Sequence, residues 1–325
     1  NAQTGAMVDY SLKTPVEVVW ENTERFEPEP IESLDLPFDS NFLMISQFGP
    51  RKNFLSSIQW WIEEFIDQEV GLLVKTSIRN NSLTDFQKTA RMLKDICSKY
   101  KDRKCKVFLL HGDLSAPQMT WLYQHPKIKG LINISHGEGF GLPMFEAARE
   151  GMPIITVGWS GQLDFLVHDG KEYFQSVEYT IANINKEAVW DGVLQADSKW
   201  AYADQGSYKM TLRRALKNYD KHKKTAEELK HLINEKFSNE VLYDHFLEKM
   251  GIKMPEKTDY VFVSDFFANQ LIGGAELTLD VLVQSCNGSK TELNSQSVSK
   301  ASIDYNSEAT WIFGNIANLN KEVLK

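Results

Sequence analysis

The stretch Asn41-Phe-Leu-Met-Ile-Ser-Gln-Phe-Gly-Pro-Arg-Lys-Asn-Phe-Leu-Ser-Ser-Ile-Gln-Trp-Trp-Ile-Glu-Glu-Phe65 decides how the chain is read. Residues 42–46, four apolar side chains closed by Ser46, read as a strand buried on both faces. Gly49-Pro50 breaks it. Phe54, Ile58, Trp61, Ile62 and Phe65 then fall on one helical stripe. Strand, turn and amphipathic helix is the repeating unit of a parallel α/β sheet.

The unit recurs after that stretch. Residues 70–74, 107–110, 131–134 and 153–157 read as further short strands, with helices over 117–123 and 143–150. Thr84-Asp-Phe-Gln87 offers a capping-box start for a helix with the stripe Phe86, Ala90, Leu93, Cys97 and Tyr100. Residues 1–37 are irregular, interrupted by Phe26-Glu-Pro-Glu-Pro30 and Pro37, and only 16–20 reads as a strand. After Asp164 the pattern loosens, then turns helical over 208–219, 225–237 and 240–250, with Lys221-His-Lys-Lys224 in a join as a solvated face. Gly251 and Pro255 mark a boundary. Beyond it come a strand at 260–263, the turn Gly273-Gly-Ala-Glu276, a stripe of Leu277, Val281 and Leu282, and a strand at 310–313. The expected fold class is α/β, a doubly wound parallel sheet followed by the start of a second Rossmann-like unit. The expected domains are a lead-in at 1–37, a first domain at 38–252 and a partial unit at 258–325.

Composition narrows the function. The 325 residues carry 36 basic and 44 acidic side chains, a formal charge of −8, with 42% hydrophobic and 25% charged residues. That is a globular balance, and its acidity argues against a nucleic-acid partner held by bulk positive charge. No run approaches the roughly 20 apolar residues of a membrane span, and residues 1–8 lack a signal pattern, so the expectation is a cytoplasmic protein. The start at Asn1 rather than Met suggests a piece of something longer. Cys97, Cys105 and Cys286 show no ligand spacing and read as reduced structural thiols.

The chemistry is concentrated in Ile134-Ser-His-Gly-Glu-Gly-Phe-Gly-Leu-Pro-Met-Phe-Glu-Ala-Ala-Arg-Glu-Gly151. A strand ends near Ser135, glycines follow at 137, 139 and 141, Pro143 suits a first helical position, and Gly151 stops the helix. Such a loop presents unpaired backbone N–H groups and the positive end of the helix dipole, which together accept a phosphate without any lysine or arginine. Glu138 in the loop and Glu146 in the helix's first turn can face one crevice at the carboxyl ends of the strands, with Glu146 in reach of a ribose diol. Either feature alone is as well explained by ordinary turn formation and dipole complementation. The glycines do not form G-x-G-x-x-G, because residue 142 is Leu, and no P-loop is present.

The run Glu138-Gly-Phe-Gly-Leu-Pro-Met-Phe-Glu146, continued by Ala-Ala-Arg-Glu-Gly-Met-Pro153, closely resembles the E-x7-E signature of the family 4 retaining nucleotide-sugar glycosyltransferases, which have the GT-B fold. Gly49-Pro-Arg-Lys-Asn53 resembles their second donor-domain motif. The resemblance spans about 16 to 251 and covers the carboxyl-terminal, donor-binding half of such an enzyme. It implies that Lys52 touches the donor diphosphate. It further implies that Gly139, Phe140, Gly141 and Leu142 supply backbone contacts near diphosphate and sugar, that Glu146 holds ribose, and that the catalytic-site Glu138 contacts the transferred sugar. Transfer to a hydroxyl of a carbohydrate or lipid-linked acceptor with retention, and no metal or cofactor besides the nucleoside-diphosphate sugar, are implied likewise.

The chain departs from the family at two points. Where many members carry an arginine it has Gln47, after Ser46 in place of a glycine, and Arg51 is the candidate substitute. The segment 260–276 resembles the opening of the family's acceptor domain, yet follows the donor half. The chain is therefore either an excerpt of a tandem or a circular permutation, and the linker-like 1–37 favours the excerpt, with further domains of a longer chain as partners. His136, His168 and His111 read as structural rather than as bases. The alternatives are an inactive nucleotide-sugar-binding or structural module and a sugar-nucleotide epimerase of the same fold.

Overall fold

The computed structural model describes residues 14, 16–251, 260–270, 274–294 and 310–313. It divides into two compact units, Asn1–Tyr243 and Asp244–Lys325. Among the described residues no helix is long and apolar enough to cross a membrane.

In the first unit β1 (Asn41–Ile45) leads through a 3-10 turn, Pro50–Lys52, into α1 (Phe54–Phe65). There follow β2 (Gly71–Lys75), α2 (Leu83–Ser98), β3 (Lys106–Leu110), α3 (Ala116–Gln124), β4 (Ile128–Asn133), α4 (Leu142–Arg149) and β5 (Ile154–Val157). A short α5 (Leu163–Leu166) and a two-residue ribbon, β6 (Val167–His168) with β7 (Lys171–Glu172), precede β8 (Gln175–Val177). The antiparallel pair β9 (Tyr179–Asn183) and β10 (Lys199–Ala203) and the helices α6 (Gln205–Lys217) and α7 (Tyr219–Lys236) complete the run, and α8 (Asn239–Lys249) starts in the first unit and ends in the second.

Six strands form one parallel sheet in the order β3-β2-β1-β4-β5-β8. Successive side chains alternate between its faces. Phe42 and Met44 meet the α1 stripe and Tyr208 and Leu212 of α6, while Leu43 lies among Met144, Phe145, Ala147 and Ala148 of α4 and Leu229 of α7. The chain builds β2 and β3 on one side of β1 and then crosses to lay β4 on the other. The order therefore reverses between β1 and β4, and the carboxyl ends of these two strands flank the natural ligand crevice of such a sheet.

Several sequence expectations change. Residues 16–20 form no strand: Val16 and Val18 stay exposed, while Trp20 donates to Asp164 at 3.0 Å and packs on Phe237. The cap of α2 is Ser82, whose hydroxyl accepts from the Asp85 amide, and not Thr84. Phe86 is exposed there, while Asp85, Thr89 and Ile96 are buried beside Leu93 and Cys97. Lys221 to Lys224 lie inside α7 rather than in a join. β8 escaped the sequence reading because a three-residue strand leaves too short a pattern.

The second unit has three parallel strands, β12 (Lys290–Leu293), β11 (Tyr260–Val263) and β13 (Thr310–Phe313), with β11 central, and a helix α9 (Gly274–Ser285). The predicted stripe of α9 is out of phase: Leu277, Val281 and Leu282 are 50%, 66% and 43% exposed, while Leu279 and Val283 join Phe262 and Phe267 in the core. Five apolar residues within seven positions leave the periodicity without a phase. Gly273, Pro255 and residues 1–13 lie outside the described residues.

Candidate functional site

The exits of β1 and β4 are tied together. Asn53, in the left-handed region at φ 48, ends the 3-10 turn and donates through Nδ2 to the Ile134 carbonyl at 3.2 Å. The His136 amide donates to the Arg51 carbonyl at 2.8 Å. This clasp delivers two cations to one carboxylate. Lys52 Nζ stands 2.7 Å from both carboxylate oxygens of Glu138, Arg51 Nη1 lies 3.0 Å from Oε2, and Asn133 Nδ2 donates to Oε1 at 3.1 Å. Glu138 is only 7% exposed. Burial alone would push its pKa up, but Lys52, Asn133 and Arg51 outweigh that and hold it below the ordinary glutamate value. It is a carboxylate at neutral pH.

The glycine loop is set by what it packs on. Gly141 caps α4 at φ 92, a conformation side chains resist. The loop following β5 supports it from below: the Gly161 amide donates to the Glu138 carbonyl, the Ser160 hydroxyl bonds both the carbonyl and the amide of Glu138, and a Cβ on Gly161 would overlap the Gly139 carbonyl oxygen. Phe140 turns inward onto Phe145 and Phe165. Among the described residues, the backbone amides of Gly139, Phe140, Gly141 and Leu142 donate to no protein acceptor, and space is open above Gly139. Four free donors at a helix start form an anion cradle.

α4 begins at Leu142, so Pro143 is its second residue and Glu146 its fifth. Glu146 is thus in the second turn, not the first, where the dipole acts less on its charge. Two cavities flank this helix start. One of about 320 Å³ is lined by Ser46, Gln47, Arg51, Lys52, Lys75 and Pro143. The other, of about 260 Å³, is lined by Glu146, Tyr123, Leu114 and Ala116, with Thr23 and Phe26 of the lead-in as its outer wall. Lys52 and Glu146 therefore face neighbouring cavities, and Tyr123 donates its phenol to Glu146 Oε2 at 2.8 Å. Burial first, then the Glu146 charge, pushes the Tyr123 phenol up, which keeps it a donor.

His136, His168 and His111 are each tied to groups of the protein itself. His136 bonds the Ala201 carbonyl at 2.7 Å through Nδ1 and stacks on Trp200, and burial depresses its pKa. His168 bonds the Phe165 carbonyl. His111 bonds Asp85 at 3.0 Å, and Asp85 also accepts the amides of Ile78, Arg79 and Asn80, fixing the loop after β2. Cys97 and Cys105 are buried free thiols, with Cys105 pushed up by burial to about 11. The sequence reading missed Lys75, Asn133, Tyr123 and Ser160. Asn133 could have been found, because it ends the strand that feeds the glycine loop.

No family model matches the chain. The proteins it is similar to are glycosyltransferases and related sugar enzymes. One is the poly(glycerol-phosphate) alpha-glucosyltransferase of Bacillus subtilis (strain 168), 25% identical over 221 residues, which are 67% of this chain and 29% of that protein. The chain thus spans under a third of that relative's length. Among solved structures, sucrose-phosphate synthase from Thermosynechococcus elongatus has a TM-score of 0.48 at 16% identity, covering 66% of this chain and 46% of that one. S. aureus TarM, solved with UDP, has a TM-score of 0.41 at 15% identity, covering 71% and 37%.

Proposed function

We propose that the first unit is the donor half of a retaining glycosyltransferase of the GT-B type, and that it binds a nucleoside-diphosphate sugar without a metal. One observation carries this reading: the four free amides from Gly139 to Leu142 and the cations Arg51 and Lys52 converge at the point where the strand order reverses between β1 and β4. A fixed set of donors already oriented toward an anion stabilises charge as it develops on a leaving diphosphate, with no reorganisation at the moment of bond cleavage. Lys52 and the amides take that role, Glu138 positions the transferred sugar, and Glu146 accepts from the ribose diol.

In this reading residues 38–252 are the donor-binding domain and 258–325 open an acceptor-type unit. The acceptor is a carbohydrate or lipid-linked hydroxyl, the complete enzyme has further domains, and the protein works in the cytoplasm. The charge-neutral Gln47 in the larger cavity favours a second reading, a nucleotide-sugar-binding module without turnover. Calorimetry with UDP, GDP and ADP, followed by assays of sugar transfer and donor hydrolysis, tests both. Binding with turnover supports the transferase, binding without turnover the module, and no binding of any nucleotide removes both.

A further inference from the structure

Lys75 ends β2, the strand beside β1, in register with Ile45 on one side and Leu110 on the other. It therefore stands one strand over from the β1 exit and lines the larger cavity with Arg51 and Lys52. Its ammonium donates to the Gly112 carbonyl at 3.0 Å. Among the described residues it makes no ion pair with any carboxylate, whereas Arg51 and Lys52 already share Glu138. Asp113, whose charge acts on Lys75, is itself bonded by Asn81. Among the described residues, three basic side chains and no carboxylate line this cavity, in a chain whose overall charge is −8. A half-buried ammonium bonded to one neutral carbonyl keeps two of its three donors for a ligand.

We infer that Lys75 is a direct ligand of the bound diphosphate, a third cation beside Arg51 and Lys52 that supplies charge the neutral Gln47 does not. This deepens the proposed function and rests on it. The occupant is a pyrophosphate group: its oxygens accept from a lysine as from a point charge, so the interaction depends on charge more than on side-chain shape. Burial also lowers the lysine's pKa, which shows that part of its hydration is already lost before a ligand arrives.

Calorimetry on the full 325-residue chain with inorganic pyrophosphate and with UDP, GDP and ADP, at low and high salt, tests this for wild type, Lys75→Gln and Lys75→Arg. The expected result is that Lys75→Gln weakens pyrophosphate and the best nucleoside diphosphate by about tenfold or more, as for a lost charge-assisted hydrogen bond. Its binding also becomes less salt-dependent, while Lys75→Arg stays within a few-fold of wild type. Lys75→Met, which keeps the apolar stem, repeats the measurement should the Gln variant melt early. Wild-type affinity in Lys75→Gln and Lys75→Met, with Lys52→Met weakened, overturns the inference and leaves Lys75 as a brace for the Gly112 loop. Failure of the wild type to bind any probe overturns the donor reading together with this one.

Discussion

Lys52 and Glu138 are 86 residues apart in sequence and 2.7 Å apart in space, a half-buried ion pair whose carboxylate is buried at the base of the glycine loop. The carboxylate that the proposed mechanism aims at the sugar thus also holds the ammonium aimed at the diphosphate. A ligand phosphate must compete with Glu138 for Lys52 and Arg51. Glu138→Gln should tighten binding of a nucleoside diphosphate several-fold and lower sugar transfer. Calorimetry beside a turnover assay reads both, and weaker diphosphate binding in the variant contradicts this competition.

The same pair has a pH signature. The folded pKa of Glu138 is held below its ordinary 4.5, so its ionisation stabilises the fold above about pH 4.5, and that contribution is lost as pH falls through the folded pKa. The melting-temperature gap between wild type and Glu138→Gln should be flat from pH 8 to about 5 and shrink on further acidification. A gap that widens below pH 4.5 reverses the sign.

Glu146 and Tyr123 form the second wall. Glu146→Ala should weaken nucleotide and nucleotide sugar alike, because the ribose is common to both. Tyr123→Phe removes a buried phenol's bond to Glu146 and should cost about 1 kcal/mol of stability in a denaturant titration. Unchanged titration curves for Glu146→Ala end the ribose assignment.

Gly161→Ala places a methyl group against the Gly139 carbonyl oxygen. Because the obstacle is backbone, the loop must shift, and a cost of about 1–3 kcal/mol is expected from overpacking. Diphosphate binding should fall with it as the cradle amides lose alignment. A variant with wild-type melting and binding shows that this loop is softer than its contacts imply.

Much of the sheet was legible because buried parallel strands and amphipathic helices print strong periods: the α1 stripe from Phe54 to Phe65 lies wholly in the core. What was not legible has physical causes. α9 is apolar around much of its circumference, so Leu277 and Leu279 could not be told apart by spacing. The cap of α2 went to Ser82 because its hydroxyl reaches the Asp85 amide, a local competition that motif matching at Thr84 overlooked. At the candidate site the turn and helix start between Glu138 and Glu146 were legible from Gly139, Gly141 and Pro143, whereas a role for that segment came only from its resemblance to the E-x7-E signature, because a glycine loop before a helix is common in α/β proteins. Lys75 and Ser160 were invisible because they reach the site only through strand order and loop stacking. The division of the helix start into two cavities, one holding Lys52 and the other Glu146, is likewise a property of three dimensions.

The reversal of strand order has a temporal consequence. β1 pairs with β4 only after the chain has emerged through two intervening βα units, so the walls carrying Lys52 and Glu138 meet by closing a loop of more than eighty residues. Such non-local closure is among the slower events of folding. A nascent chain halted before β4 has no pocket to fill, and capture of an anion there becomes a signal that the sheet has been assembled in its final order.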